Sequence, residues 1–115
     1  MPAYNFQAVF APYVESGIKH QTIRAKRKQR PKAGQISHCF SGMRTRRCRR
    51  LGSWPIGAVR DVRIFDEGVL LDGAALLAGD LDAFAKADGF PHWPGMLVWF
   101  SRTHGLPFHG DLIVW

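Results

Sequence analysis

Two runs of positive charge limit where this chain can place a core. Residues 26–32, KRKQRPK, and residues 43–50, MRTRRCRR, together hold ten of the sixteen Lys and Arg, and Pro31 interrupts the first run. Burying either run would strand unpaired charges, so both read as solvated loops, the first of them mobile. The core must come from the segments around them. With 115 residues and 46% hydrophobic content, those segments suffice for one core and are too short for two domains of ordinary size.

Charge is also divided along the chain. Residues 1–65 carry fourteen Lys and Arg against two acids, Glu15 and Asp61, whereas residues 66–115 carry Lys86 and Arg102 against seven acids. A single domain with this split presents a basic face that attracts a polyanion, opposite an acidic side. Solubility alone is the plainer account of the same charges. Residues 1–10 lack a basic stretch followed by an apolar one, and the most apolar segment, residues 69–81, is broken by Asp72 and Asp80. Neither a secretory leader nor a membrane span is expected. Two cysteines, Cys39 and Cys48, are few for a small disulfide-dependent domain and suit a reducing cytoplasm.

Pro12 and Gly17 frame a short helix over residues 11–18, which delivers the chain to Lys19. Residues 22–26 then alternate, setting Thr22, Arg24 and Lys26 on one face of an extended segment and Ile23 and Ala25 on the other. A strand is predicted over residues 35–41, with Ile36, His38 and Phe40 sharing a face. Another covers 59–65 and returns through Leu71 after a turn at Asp66, Glu67 and Gly68, which makes a hairpin. Asp80 as N-cap, Asp82 in the first turn and Gly89 past the end define a helix over 80–88. Its apolar stripe is Leu81, Phe84 and Ala85. The same spacing continues onto Asp88, a carboxylate where the inward face calls for an apolar side chain.

Pro94 starts a further helix with Met96, Trp99 and Phe100 as its buried face, stopped by Gly105 and Pro107 ahead of a last strand over 108–115. Helices inserted among strands without regular alternation argue against a doubly wound parallel sheet. The expected class is α+β: a small, mostly antiparallel barrel with flanking helices.

Several constellations are absent: a Walker A loop, a dinucleotide fingerprint and a G-x-S-x-G elbow. The histidines and cysteines lack the paired spacing of a zinc ribbon or a deaminase, so no metal and no cofactor is expected. Cys39 alternates with Ser37 and Ser41, which leaves open a nucleophilic thiol or a bystander. Trp54 and Trp93 stand beside prolines and suit either base stacking or core packing.

The string Gly17-Ile18-Lys19-His20-Gln21-Thr22-Ile23-Arg24 resembles the G-x-K-x-x-T-I-R signature of ASCH domains, relatives of the PUA fold. Gly34 opening a strand, Ala85-Lys86-Ala87-Asp88-Gly89-Phe90 at the position of a helix ending in a carboxylate, and an apolar closing strand extend the likeness over nearly the whole chain. The resemblance implies a PUA-like barrel, and either RNA binding across a basic cleft or amidohydrolysis of N4-acylcytidine nucleosides. For the latter it implies Lys19, Thr22 and Asp88 as the catalytic set, with Asp88 one methylene shorter than the family's glutamate.

Elementary chemistry allows that assignment. Thr22 can attack an amide, Lys19 can take its proton if its pKa is depressed, and Asp88 can orient the lysine or assist the leaving nitrogen. Arg24, His20 and Trp93 are candidate substrate contacts. An ordinary Lys19–Asp88 ion pair is the alternative. The second functional reading is a non-catalytic RNA-binding module, or an RNA-processing ribonuclease, gripping through Lys26, Arg27, Lys28, Arg30, Lys32, Arg44, Arg46, Arg47, Arg49 and Arg50. The expected partner is thus a modified nucleoside or RNA, bound by a presumed monomer.

Overall fold

Residues 2–115 are described by the computed structural model, and their strands form two sheets. The first has three strands: β1 (Ala3–Phe6) runs parallel to β3 (Ile36–Ser41), which pairs antiparallel with β4 (Arg49–Pro55). In the second, β2 (Gln21–Ala25), β8 (Phe108–Val114), β5 (Ala58–Phe65), β6 (Gly68–Leu71) and the short β7 (Ala74–Ala75) lie side by side, antiparallel throughout. The two sheets share no strand, so the barrel expected from the sequence is not closed. The α+β class and the predominance of antiparallel pairing stand, together with three helices: α1 (Ala11–Glu15), α2 (Leu81–Ala87) and α3 (Trp93–Thr103).

Period-two alternation along β8 explains how one strand serves two cores. Phe108 and Leu112 face Val62, Ile64, Leu71 and the inner sides of α2 and α3, where Leu81, Ala85, Met96 and Phe100 are buried. Ile113, on the opposite face, joins Tyr4, Phe6, Val14, Cys39 and Leu51 beneath α1. Burying Met96 and Phe100, both within 1% of complete exclusion from solvent, contributes about 1.5–3 kcal/mol each. Phe10 packs against both clusters and marks the seam between them.

Local rules account for most boundaries. α1 ends at Glu15, earlier than expected, because the chain turns at Gly17 with φ +83° and leaves Ile18 70% exposed. His92, rather than an acid, caps α3: the Gly95 amide donates to its Nδ1 at 2.9 Å. Asp80 occupies the N-cap position of α2 but makes no side-chain capping bond. Along β3 the buried residues are Ser37 and Cys39, and Ile36 is exposed, so the inward face is opposite to the more apolar one. β1 is only four residues long, with Tyr4 and Phe6 buried on either side of exposed Asn5, and β4 carries no clear periodic signal. β4 begins inside the second basic run, which places Arg49 and Arg50 on a strand rather than in a loop. Among the described residues, no helix is long and apolar enough to cross a membrane.

Candidate active site

A cavity of about 280 Å³ opens at the seam between the two cores. Its polar wall comes from β2, the residues just before it and the end of α2, segments far apart in the chain: Lys19, Thr22, Arg24 and Asp88 all line it. Phe6, Phe10, Phe90 and Trp99 supply the apolar walls. The inward carboxylate anticipated on α2 is therefore real, and it faces a cavity.

Lys19 and Asp88 are 4% and 5% exposed, and the lysine Nζ donates to the Asp88 backbone carbonyl at 2.6 Å and to its Oδ1 at 3.2 Å. Asp88 is the C-cap of α2, so the ammonium also satisfies a carbonyl at the negative end of the helix. The Nζ lies 5.4 Å from the Phe10 ring centroid and 5.8 Å from that of Phe6, which adds cation–π attraction. Even so, desolvation dominates. Burial pulls Lys19 below its ordinary pKa against the opposing pull of Asp88, and burial raises Asp88 against the pull of Lys19. Both shifts run toward the neutral form, which for Lys19 is the direction that a base requires.

Gly89 permits this approach. Its φ is +98°, and a Cβ there would stand 2.8 Å from Phe10 Cδ1 and 3.3 Å from Lys19 Cδ. Helix termination and the close passage of the lysine stem thus depend on one missing methyl group.

Thr22 and Arg24 share a face, as the alternation requires: Arg24 Nε donates to Thr22 Oγ1 at 2.9 Å. Arg24 Nη2 also donates to the Asn5 carbonyl at 2.8 Å, and its guanidinium lies 4.8 Å from the Phe6 centroid. No direct hydrogen bond joins Lys19 to Thr22; the lysine ammonium bonds to Asp88 alone among the described residues. Gln21 is buried nearby. Its amide is near enough to Asp88 to favour the carboxylate, but its Nε2 lacks a partner of sound geometry.

No family model matches the chain. Comparison with curated proteins and with solved structures also returned no match.

The remaining predicted residues fall elsewhere. His20 is exposed and Trp93 packs half-buried against the α2–α3 core, so neither lines the cavity. Trp54 lies on β4 and stacks on Trp115 with centroids 6.1 Å apart, which makes it a packing residue rather than a loop platform. Cys39 is fully buried and its thiol is raised by that burial, the behaviour of a bystander.

The first basic run is tied down. Lys26 Nζ sits 2.7 Å from Asp111 and 2.8 Å from Asp61, Arg30 Nε 2.9 Å from Asp111, and Arg27 donates to the Ala3 carbonyl at 2.8 Å. Lys28 and Lys32 remain without an acidic partner among the described residues, as do Arg44, Arg46 and Arg47, while Arg49 pairs with Glu15 at 2.5 Å and Arg50 donates to Ser53.

Sequence reasoning missed Asn5, Phe6, Phe10 and His104 as cavity residues. The first three precede any recognisable motif, and His104 only follows the last turn of α3. Burial, and then Arg24, lower His104 from its ordinary value, so a neutral imidazole faces the cavity. Among the described residues no three His, Cys, Asp or Glu converge in a way that would hold a metal ion.

Proposed function

We propose that this chain is an ASCH-like amidohydrolase that removes the acyl group from N4-acylcytidine-type nucleosides. The observation that carries the reading is the buried Lys19–Asp88 pair, closed over 69 positions of sequence, in one cavity with Thr22 and Arg24. A structural ion pair alone gains little from such burial, because the cost of desolvating two charges offsets their attraction. Depressing a lysine pKa is, by contrast, how a fold makes an amine into a base near neutral pH. Aromatic walls suit a planar pyrimidine, and about 280 Å³ lies at the small end of ligand cavities, matching a nucleoside. The fold would then be a PUA-like barrel opened between its two sheets, and free thiols suit a cytoplasmic place.

Thr22 Oγ attacks the acyl carbon while its proton passes through a bridging water to neutral Lys19. Arg24, already donating to that oxygen, favours its anionic form. Collapse of the tetrahedral intermediate breaks the C–N bond as the exocyclic nitrogen takes the proton back from Lys19, with Asp88 holding the ammonium in place. Water then releases the carboxylic acid from Thr22. Chromatography of N4-acetylcytidine incubated with the protein tests the scheme: the parent releases cytidine and Lys19→Ala does not. A folded parent that releases nothing from acetyl or longer acyl substrates overturns it.

A second reading, RNA binding without catalysis, draws on the exposed Arg44, Arg46 and Arg47, which no acid neutralises among the described residues. On that reading, RNA affinity falls by orders of magnitude between low and moderate salt if about six phosphates are contacted, and Lys19→Ala leaves it in place.

A further inference from the structure

The turn between β3 and β4 carries the second basic run, and its position relative to the cavity is fixed by one residue. Asn5 and Phe6 line the cavity, and in the parallel pairing of β1 with β3 they stand opposite Phe40 and Ser41, the last residues of β3. The chain therefore leaves β3 at the cavity rim. Asn5 then holds both sides: its carbonyl accepts from Arg24 Nη2 at 2.8 Å, and its side-chain Oδ1 accepts from the Met43 amide at 2.9 Å. Arg44 follows one Cα step of about 3.8 Å farther on.

The turn is braced by its own hydrogen bonds. Thr45 Oγ1 donates to the Gly42 carbonyl at 2.6 Å and accepts from the Arg47 amide at 3.1 Å, and the Cys48 amide donates to the Thr45 carbonyl at 3.2 Å. Gly42, with φ +68°, lies against the Arg47 carbonyl where a Cβ would stand 2.9 Å away, and Arg44 itself takes φ +64°. A left-handed arginine is uncommon and is held here by the surrounding bonds. The turn that carries Arg44, Arg46 and Arg47 is thus anchored to a residue that lines the cavity, and these three exposed arginines have no acidic partner among the described residues. An uncharged nucleoside needs none of them.

From this arrangement we infer that the Arg44–Arg46–Arg47 turn is a phosphate subsite of the cavity, so that the molecule taken up is a phosphorylated cytidine, whether a free nucleotide or a residue within RNA. The inference rests on the nucleoside reading of the cavity and adds the substrate's anionic end. Guanidinium groups suit that role because each offers fixed, paired donors to phosphate oxygens, and a turn ordered before binding loses little conformational entropy on contact.

Calorimetric titration with cytidine, with its 5′- and 3′-monophosphates and with a short cytidine-containing RNA, at low and moderate salt, tests it without requiring turnover. A monophosphate or the RNA binds at least tenfold more tightly than cytidine at low salt, the advantage shrinks with added salt, and Arg44→Gln/Arg46→Gln/Arg47→Gln abolishes it. Arg60→Gln/Arg63→Gln/Lys86→Gln, which removes equal charge elsewhere, retains the advantage. Circular dichroism establishes that each variant is folded. If RNA alone gains affinity, with a steeper salt slope, the phosphate belongs to a polymer; if the monophosphate gains equally, it belongs to a free nucleotide.

Equal affinity for cytidine, its monophosphates and the RNA overturns the subsite, as does an advantage lost equally in both triple variants. Hydrolysis of N4-acetylcytidine is scored separately. Turnover of the nucleoside without phosphate preference removes only the subsite, and phosphate-dependent binding without turnover removes only the hydrolase.

Discussion

Replacing Lys19 by methionine isolates what the buried pair contributes. Methionine keeps the unbranched stem between Phe6 and Phe10 but removes the charge and both bonds to Asp88. Breaking one side of a buried pair costs about 3–5 kcal/mol, because the partner charge is left uncompensated. Part of this is independent of pH: the lost bond to the Asp88 carbonyl is worth about 1 kcal/mol.

The rest follows from protonation. Asp88 already titrates above the ordinary carboxylate range because it is buried, and losing the lysine raises it further. A carboxyl whose folded pKa exceeds its unfolded one carries no penalty below the unfolded value of about 3.9, and a growing penalty as pH rises toward the folded value. The deficit of Lys19→Met relative to the parent is therefore smallest near pH 4 and grows toward pH 7, with about 3–5 kcal/mol as its ceiling because methionine also removes the desolvation cost that the buried lysine carries in the parent. Urea unfolding at pH 4, 5, 6 and 7 measures it, and an added Asp88→Asn recovers most of the loss at neutral pH. A deficit that is flat with pH would mean that Asp88 is solvated and that the desolvation argument for the base is wrong.

Three further outcomes follow from the same geometry. Gly89→Ala forces a side chain into φ +98° and against Phe10, and thermal unfolding should show a loss of about 2 kcal/mol; a neutral result would mean that α2 ends differently. Asp61, held down to about 2 chiefly by the Lys26 and His109 side chains, has a folded pKa below its unfolded value, so its contribution is full above about pH 4 and lost as pH falls toward 2. Asp61→Asn should thus be less stable than the parent at pH 6 and equal to it near pH 2 by urea unfolding, and a deficit that persists at pH 2 counts against the ion-pair account. Asp111→Ala releases Lys26 and Arg30, and limited trypsin digestion should then cut within residues 26–32 faster than in the parent; unchanged cleavage would show that other contacts hold the loop.

Much of the candidate site is legible in one dimension because it depends on local spacing. Alternation over residues 22–26 puts Thr22 and Arg24 together, and the helical period of α2 turns Asp88 inward. Where spacing carries no contrast, reading fails. β1 alternates over only four residues, too few to mark a strand, and β4 mixes polar and apolar residues and begins within a run that looks like loop. The inward face of β3 illustrates the same limit: Ser37 and Cys39 are buried beneath α1 while Ile36 is exposed, a choice made by the docking of that helix and not by hydropathy.

The sequence by itself determined the α+β class, the end of α2 before Gly89, the concentration of cations in two runs, and the inward carboxylate that follows α2. These follow from backbone sterics, period and charge, all of which act over a few residues. Only the tertiary structure decided that the sheets stay separate, that Lys26 and Arg30 of the first basic run pair with Asp61 and Asp111, and that Asn5 ties the arginine turn to a wall of the cavity. Each of these joins residues far apart in the chain, so it is settled by the shape and polarity of surfaces that exist only after folding.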